Sequence, residues 1–120
     1  MLNQNGVRFV DEGIDFRNYT YAQFGRAVLQ QPGQRAWQIF DSKVFDLLYE
    51  EYTFHDAHFV EANTLEELID KMDGINKNET QKTFDEYNKL FHDTAVTTNS
   101  EFITDTFIKD SCPFILVLLF

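Results

Sequence analysis

The apolar positions of the chain form short runs typical of strands and longer periodic stretches typical of helices. Four runs favour β-structure and are bounded by polar or turn residues: residues 7–10, 36–41, 57–62 and 113–120. The last run, "PFILVLLF", is much shorter than the ~20 apolar residues that a membrane helix needs. We therefore expect a buried strand there, or a strand that needs a partner, and no membrane span.

Two segments with helical spacing lie in the first half of the chain. The first begins near Tyr19 and is stopped by Pro32 and Gly33. The second, "DSKVFDLLYEEY", has Asp41 or Ser42 as its N-cap. The positions expected to face the core are Ala22, Phe24, Ala27, Val28 and Leu29 in the first segment and Val44, Phe45, Leu47 and Leu48 in the second.

Two further helical segments are better marked. "NTLEELIDKM" opens with Thr64 and has Glu67 three residues later, which forms a capping box for the first amide groups of a helix. "NKNETQKTFDEYNKLF" keeps the helical period, and the Thr/Asn-rich segment after His92 is predicted to be a loop. The stripes expected to face inward are Leu65, Leu68, Ile69 and Met72 in the third helix and Thr83, Phe84, Tyr87, Leu90 and Phe91 in the fourth.

The order of these elements predicts an α+β fold in which about four helices cover a short mixed sheet. A chain of 120 residues is one domain or a piece of one. Its thirteen phenylalanines, five tyrosines and one tryptophan supply enough bulk for a single core.

The charge balance is strongly acidic, with 10 lysine and arginine residues against 20 aspartate and glutamate residues. Nucleic-acid binding needs a cationic surface, and an anionic membrane surface would repel this chain, so neither partner is expected. The single cysteine, Cys112, excludes an internal disulfide and fits a reducing compartment. The first residues lack the features of a secretory leader. We therefore expect a cytoplasmic protein.

Several residue groups could carry chemistry, and each has a plainer interpretation. The five glycines form no G-x-G-x-x-G or Walker loop, so no cofactor-binding residue is predicted. His55, Asp56 and His58 lie close together, but zinc needs three or four ligands, and solvated loop histidines are expected rather than a metal site. Cys112 precedes Pro113 and an apolar run, where burial favours an inert thiol over a nucleophile. Three carboxylate pairs are expected to be solvated faces and a capping residue: Asp11 with Glu12, Glu50 with Glu51, and Glu66 with Glu67.

Arg17 has the least ordinary surroundings in the sequence. Acids and aromatic residues lie within a few positions of it: Asp11, Glu12, Asp15, Phe16, Tyr19, Tyr21 and Phe24. Guanidinium is planar and binds a carboxylate through two parallel hydrogen bonds. The pattern is compatible with a cleft that needs a fixed cation and with a surface ion pair to Asp15. The local residue types favour the ion pair.

The series "NGVRFVDEG", "DFRNYT" and "QPGQRAWQIFD" resembles the flavoprotein family of fumarate reductases and succinate dehydrogenases. Within that family it is most similar to the soluble, FAD-dependent, tricarballylate dehydrogenase-like members. The family pattern is a G-x-R-F-x-(D/N)-E motif, a key arginine, a helix and an A-x-x-(I/V)-F-D strand. The residues that match it are Gly6, Arg8, Phe9, Asp11, Glu12, Arg17, Ala36, Ile39, Phe40 and Asp41. The resemblance makes residues 1–92 a capping-domain-like region and leaves residues 93–120, a loop and an apolar strand, divergent.

The resemblance implies that Arg17 is catalytic: it holds a substrate carboxylate at a domain interface and delivers a proton to the substrate. It also implies FAD for the full-length family, a flavin-binding domain or subunit as partner, and a small dicarboxylate or tricarboxylate as substrate. Because the FAD-binding motif of the family is missing, no cofactor is expected on this chain alone. The chain is therefore interpreted as a capping-domain fragment of an oxidoreductase without turnover of its own.

A second hypothesis comes from a different class of function. The chain could be a stand-alone acidic α+β module that binds another protein and has no enzyme activity. Its apolar C-terminal strand and its exposed aromatic residues would then form a docking edge.

Overall fold

The computed structural model describes residues 1–54, 57–98 and 114–119, and within them three α-helices and three β-strands are present. In chain order these are α1 (Arg17–Leu29), β1 (Ala36–Asp41), β2 (Phe59–Ala62), α2 (Leu65–Lys71), α3 (Lys77–Thr98) and β3 (Phe114–Leu119). Short 3₁₀ helices span Pro32–Gln34, Ser42–Leu47 and Glu50–Thr53. The predicted α+β class is confirmed.

Strand β3 lies between β1 and β2 and pairs antiparallel with both. Ala36 is opposite Leu119 on one side, and Phe59 is opposite Val117 on the other. The prediction of a strand in the apolar C-terminal segment is confirmed, and this strand is the centre of the sheet. Among the described strands all pairing is antiparallel, so the predicted mixed sheet is wrong in this respect.

The core is built mainly from α2 and the strands beside it. Trp37 on β1, Leu68 on α2 and Met72, which directly follows α2, are almost completely buried. The predicted stripe of α2 is confirmed, because Leu65 and Ile69 are buried as well. Burying a side chain of this size stabilises the fold by roughly 1.5–3 kcal/mol, so α2 is held chiefly by this stripe.

The predicted capping box of α2 is confirmed. The side-chain oxygen of Thr64 accepts a hydrogen bond from the backbone N–H of Glu67 at 3.2 Å. The carboxylate of Glu67 in turn accepts from the backbone N–H of Asn63 at 3.0 Å. These two bonds satisfy amide groups that would otherwise lack partners at the start of the helix.

The predicted strand at residues 7–10 is wrong. Only an isolated bridge joins Arg8 to Leu2, which also bridges Trp37. The side chain of Asn3 accepts hydrogen bonds from backbone N–H groups at positions 5 and 7, which favours a turn over an extended chain. Gly6 has a φ of +77° and lies against Thr80, where a Cβ atom would come within 2.6 Å of the backbone nitrogen.

The helix predicted for residues 41–52 is also wrong. The segment forms two 3₁₀ helices separated by extended conformations at Leu48 and Tyr49. Only the Asp41 cap is confirmed, since its carboxylate accepts from the N–H of Lys43 at 2.7 Å. Phe45 and Leu47, predicted to face inward, are 40% and 79% exposed. The segment packs on the sheet at two separate points, Phe45 against Phe59 and Tyr52 against Phe40, and the extended residues Leu48 and Tyr49 interrupt the helix between them.

The other two helices differ from their predictions at their ends and in their burial. Helix α1 starts two residues early, and of its five predicted core positions only Val28 is buried. Helix α3 continues through Thr98, so the loop predicted from residue 93 is wrong up to that point. No glycine or proline interrupts residues 77–98, which allows the helix to continue. No helix of the described chain is both long and apolar enough to cross a membrane.

Candidate functional site

Arg17 is the first residue of α1, and two tyrosine rings hold its guanidinium. The guanidinium carbon lies 4.6 Å from the ring centre of Tyr49 and 5.7 Å from that of Tyr21. Its Nη1 also donates a hydrogen bond to the hydroxyl of Tyr49 at 3.3 Å. Tyr21, which is near Arg17 in sequence, stacks its ring against the guanidinium. Tyr49 is distant in sequence and lies in the extended stretch between the two later 3₁₀ helices.

The surface ion pair between Arg17 and Asp15 is not formed. The carboxylate of Asp15 instead accepts a hydrogen bond from the backbone N–H of Phe16 at 2.7 Å. Within residues 1–54, 57–98 and 114–119, no carboxylate lies within ion-pair distance of Arg17. Its charge is therefore available to an anion from outside the described chain.

Arg17 lies at the rim of a cavity of about 410 Å³ between α1 and the residues that face it. Helix α1 contributes most of the lining, and Gln38 of β1 and Tyr52 lie opposite. The hydroxyl of Tyr52 donates to the side-chain oxygen of Gln38 at 3.4 Å, and its ring packs edge-on against Phe40. A volume of this size is in the range of small-molecule sites, and the lining is mostly aromatic and apolar.

A neighbouring cavity of about 270 Å³ shares Met1, Glu12 and Gln38 with the first. Arg8 lies in its lining and donates to the carboxylate of Glu12 at 2.9 Å, while its guanidinium stacks over Tyr87 at 5.4 Å. The same carboxylate is bonded to the terminal ammonium of Met1. Glu12 is thus a fixed anion between the two cavities.

The electrostatics of this cluster follow from partial burial and close opposite charges. Burial alone would raise the pKa of Glu12, but the Met1 ammonium and the Arg8 guanidinium outweigh burial and lower it below its ordinary value. Burial would likewise lower the pKa of Arg8, yet Glu12 raises it. Burial raises the pKa of Tyr87, and the Glu12 charge adds to that effect while Arg8 opposes it. Glu12 and Arg8 therefore both remain charged near neutral pH.

The described residues do not fit a bound FAD. Three glycines have positive φ angles. The space beside Gly6 and Gly33 is filled by Thr80 and Gln4, and Gly74 has open space but directly follows Asp73, whose charge would repel a phosphate. Gly25 lies inside α1, where no backbone N–H groups converge on an anion. Two arginines line the cavities, and Arg8 is already paired with Glu12. Only Arg17 has no carboxylate partner among the described residues, whereas FAD carries two phosphates. The described chain can form one side of a ligand site, but it supplies no cradle for this cofactor.

The remaining sequence candidates lie elsewhere. Of the proposed metal ligands, only His58 is described, and its ring packs edge-on against Trp37 at 5.6 Å. His55, Asp56 and Cys112 fall outside the described residues. No group of three potential metal ligands occurs in the part of the chain that the structure describes. Glu66 and Glu67 lie in the first turn of α2, where Glu67 is the predicted capping residue.

Sequence reasoning does not identify Tyr49 and Tyr52 as members of the site. The periodicity places both in a continuous helix, whereas the break at Leu48 and Tyr49 turns one ring towards Arg17 and the other towards Gln38. The excess of aromatic residues in "LLYEEYTF" is the one indication in the sequence.

Comparison with known proteins finds a shared fold. No protein-family model matches the chain, and no curated protein matches its sequence. Among solved structures, the chain is similar to the open conformation of a flavocytochrome c3 fumarate reductase, with a TM-score of 0.62 and 23% sequence identity over 98% of this chain. The chain spans 20% of the length of that protein. At this identity, the match establishes likeness of fold.

Proposed function

We propose that this chain is a capping-domain segment of an FAD-dependent oxidoreductase of the fumarate reductase and succinate dehydrogenase family. Two independent observations support the proposal. The ordered series of motifs from Gly6 to Asp41 resembles that family, and the fold resembles a fumarate reductase over nearly the whole chain. The substrate would be a small dicarboxylate or tricarboxylate, as in the tricarballylate dehydrogenase-like members, and the protein would act in the cytoplasm.

Arg17 is the proposed catalytic residue of this segment. The observation that carries the proposal is a guanidinium held by Tyr49 and Tyr21 at a cavity rim, with no carboxylate of the described chain paired to it. Such a group can bind a substrate carboxylate through two N–H donors. Arg17, Tyr49 and Tyr21 are exposed in the described chain, so exclusion of water would come from a flavin-binding domain that closes over them; in such a cleft the charge would act more strongly on charge that develops in the substrate. Proton delivery to a substrate carbon is the role that the family resemblance gives to it.

The test of Arg17 uses the chain joined in one polypeptide to a flavin-binding domain. We expect Arg17→Lys to lower the rate of reduction of an unsaturated dicarboxylate by about 100-fold or more, because a positioned proton donor contributes that much and lysine cannot form the two-pronged contact. Arg26→Lys, on the same helix, serves as the control and should retain full activity. A near-normal rate for Arg17→Lys would remove this residue from the reaction.

The absence of a cofactor cradle leads to a second experiment. The purified 120-residue chain is mixed with FAD and desalted, and the visible absorbance of the flavin is measured. We expect no flavin to stay with the protein, because the described residues offer no cradle for its phosphates. Flavin retained at a stoichiometric level would contradict the proposal that another domain holds the cofactor.

The alternative function, a protein-binding module without activity, loses its proposed docking edge. Strand β3 is paired with β1 on one side and β2 on the other, so its backbone groups are not available to a further strand. Exposed aromatic residues are the remaining support for this alternative. Three lie on or just before α1 (Phe16, Tyr19 and Tyr21), and three lie in residues 45–54 (Phe45, Tyr49 and Phe54).

A further inference from the structure

Tyr49 contacts Arg17 in two ways, although it belongs to a different part of the chain. Its ring centre lies 4.6 Å from the guanidinium carbon, and its hydroxyl accepts a hydrogen bond from Nη1 at 3.3 Å. Tyr21 makes a longer ring contact, at 5.7 Å, and lies on the same helix as Arg17. Because Tyr21 belongs to that helix, it is Tyr49 that links the guanidinium to another element of the fold.

The main chain around Tyr49 is anchored on the sheet at both sides. Before it in sequence, Phe45 packs against Phe59 of β2 with ring centres 6.4 Å apart. After it, Tyr52 packs edge-on against Phe40 of β1 at 5.6 Å. Tyr49 itself is extended between the two 3₁₀ helices that carry these anchors. Its ring therefore reaches Arg17 from a segment whose two ends are fixed.

Burial does not account for this contact, since Tyr49 is 56% exposed and Arg17 is exposed as well. At an exposed site, a cation–π contact favours the held position of an arginine by about two- to fivefold. A guanidinium that is already held loses less rotational freedom when a ligand binds to it than a free one does. The Tyr49 hydroxyl uses one of its N–H donors, so enough remain for two parallel bonds to a carboxylate.

We propose that Tyr49 is a positioning residue for Arg17. It holds the guanidinium at the rim of the cavity of about 410 Å³, in the direction that a ligand carboxylate needs. Tyr49 is not among the described residues that line this cavity, so it acts on the reaction only through Arg17. This inference rests on the proposed function and adds a residue to the same site. Misplacement of a reacting group by about 1 Å can cost a factor on the order of 100 in rate, so a loosened guanidinium should slow the reaction.

The first test measures the contact in the complete chain by NMR of the arginine side chains, with the Arg17 signals assigned from an Arg17→Lys sample. The Tyr49 ring should shift the Arg17 side-chain protons upfield of those of Arg26. Tyr49→Leu should remove most of that shift, whereas Tyr49→Phe, which keeps the ring, should retain most of it. Tyr19→Leu removes another exposed ring of α1 and is the control. An Arg17 shift that is unchanged by Tyr49→Leu would overturn the proposal.

The second test is a double-mutant cycle in the chain joined to a flavin-binding domain, with kcat/KM measured for fumarate. Tyr49→Leu should lower kcat/KM on the order of tenfold when Arg17 is present. In the Arg17→Lys background it should lower kcat/KM by less than about twofold, because no guanidinium is left to position. Tyr49→Phe should recover part of the loss. A loss by the same factor in both backgrounds would indicate a merely structural role and would overturn the proposal.

The proposed function and this inference fail in distinguishable ways. A joined protein that is slowed by Arg17→Lys but not by Tyr49→Leu would keep the catalytic role of Arg17 and overturn the positioning role alone. A near-normal rate for Arg17→Lys would overturn both, because Tyr49 would then have no reacting group to position, whatever the NMR spectra show of the contact.

Discussion

At the scale of single residues, two arginines with similar sequence surroundings have different contacts. Arg8 is bound to Glu12 and stacked on Tyr87, and it holds the first residues against α3. Arg17 has no such carboxylate and depends on Tyr49, which lies 32 positions away. The sequence places acids near both arginines, but it cannot show which acid turns towards which guanidinium. That choice depends on backbone turns set by distant contacts.

The Glu12 contacts predict a pH-dependent contribution to stability. Because the folded-state pKa of Glu12 is lowered, its contribution is present above the ordinary glutamate pKa of about 4.3 and is lost as pH falls through the folded-state value. Glu12→Gln should lower the free energy of unfolding near pH 7 by about 1 kcal/mol, since the pair is partly exposed. Denaturant unfolding at several pH values measures the difference.

The difference between wild type and Glu12→Gln should shrink as the pH drops below about 4, where the wild-type carboxyl becomes neutral as well. Glu86→Gln, at an exposed position on α3, is the matched control and should change stability little at any pH. A Glu12→Gln difference that stays constant down to acid pH would show that the carboxylate charge is not responsible.

At the scale of elements, α2 is predictable because every cue for it is local. The Thr64 and Glu67 side chains cap its start, and its apolar stripe falls on the face that the sheet covers. Residues 42–53 have similar periodicity but form two 3₁₀ helices, each of which packs one aromatic ring on a strand: Phe45 on Phe59 of β2 and Tyr52 on Phe40 of β1. Periodicity predicts which face could be buried, whereas burial itself depends on what the rest of the chain brings to that face.

Replacing glycine by alanine should have opposite effects on stability at positions 25 and 6. Gly25 lies inside α1, and no atom lies within 4 Å of the point that a Cβ atom would occupy, so Gly25→Ala should stabilise the chain by about 0.5–1 kcal/mol. Gly6 has a positive φ angle and touches Thr80, so Gly6→Ala should destabilise the chain by more than ~1 kcal/mol. Thermal unfolding of both variants measures the effects. A destabilising Gly25→Ala would contradict the exposed placement of α1.

At the scale of the whole molecule, the sheet joins two parts of the chain that the family resemblance treats differently, residues 1–92 and residues 93–120. The resemblance to a capping domain ends near residue 92, yet residues 114–119 provide the strand on which both β1 and β2 depend. The presence of that strand can be predicted from its composition. Its central place cannot, because strand order depends on contacts between residues far apart in sequence.

A chain truncated after residue 113 tests the importance of β3. Without β3, both β1 and β2 lose their hydrogen-bonded neighbour, and the core beside them becomes exposed. We expect the truncated chain to lose cooperative thermal unfolding as measured by near-ultraviolet circular dichroism. A sharp transition close to that of the complete chain would mean that the helices and the first two strands fold by themselves.

The central strand also determines when the molecule can fold during synthesis. Asp41 pairs with Phe114 and Ala62 also pairs with Phe114, so both outer strands are translated long before their common neighbour. Closing such long loops is slow, and unpaired strands can associate with other chains in the meantime. On the ribosome, the sheet can assemble only after residues 114–119 leave the exit tunnel. Until then β1 and β2 lack their common neighbour, so the nascent chain exposes strand edges with which other chains can pair.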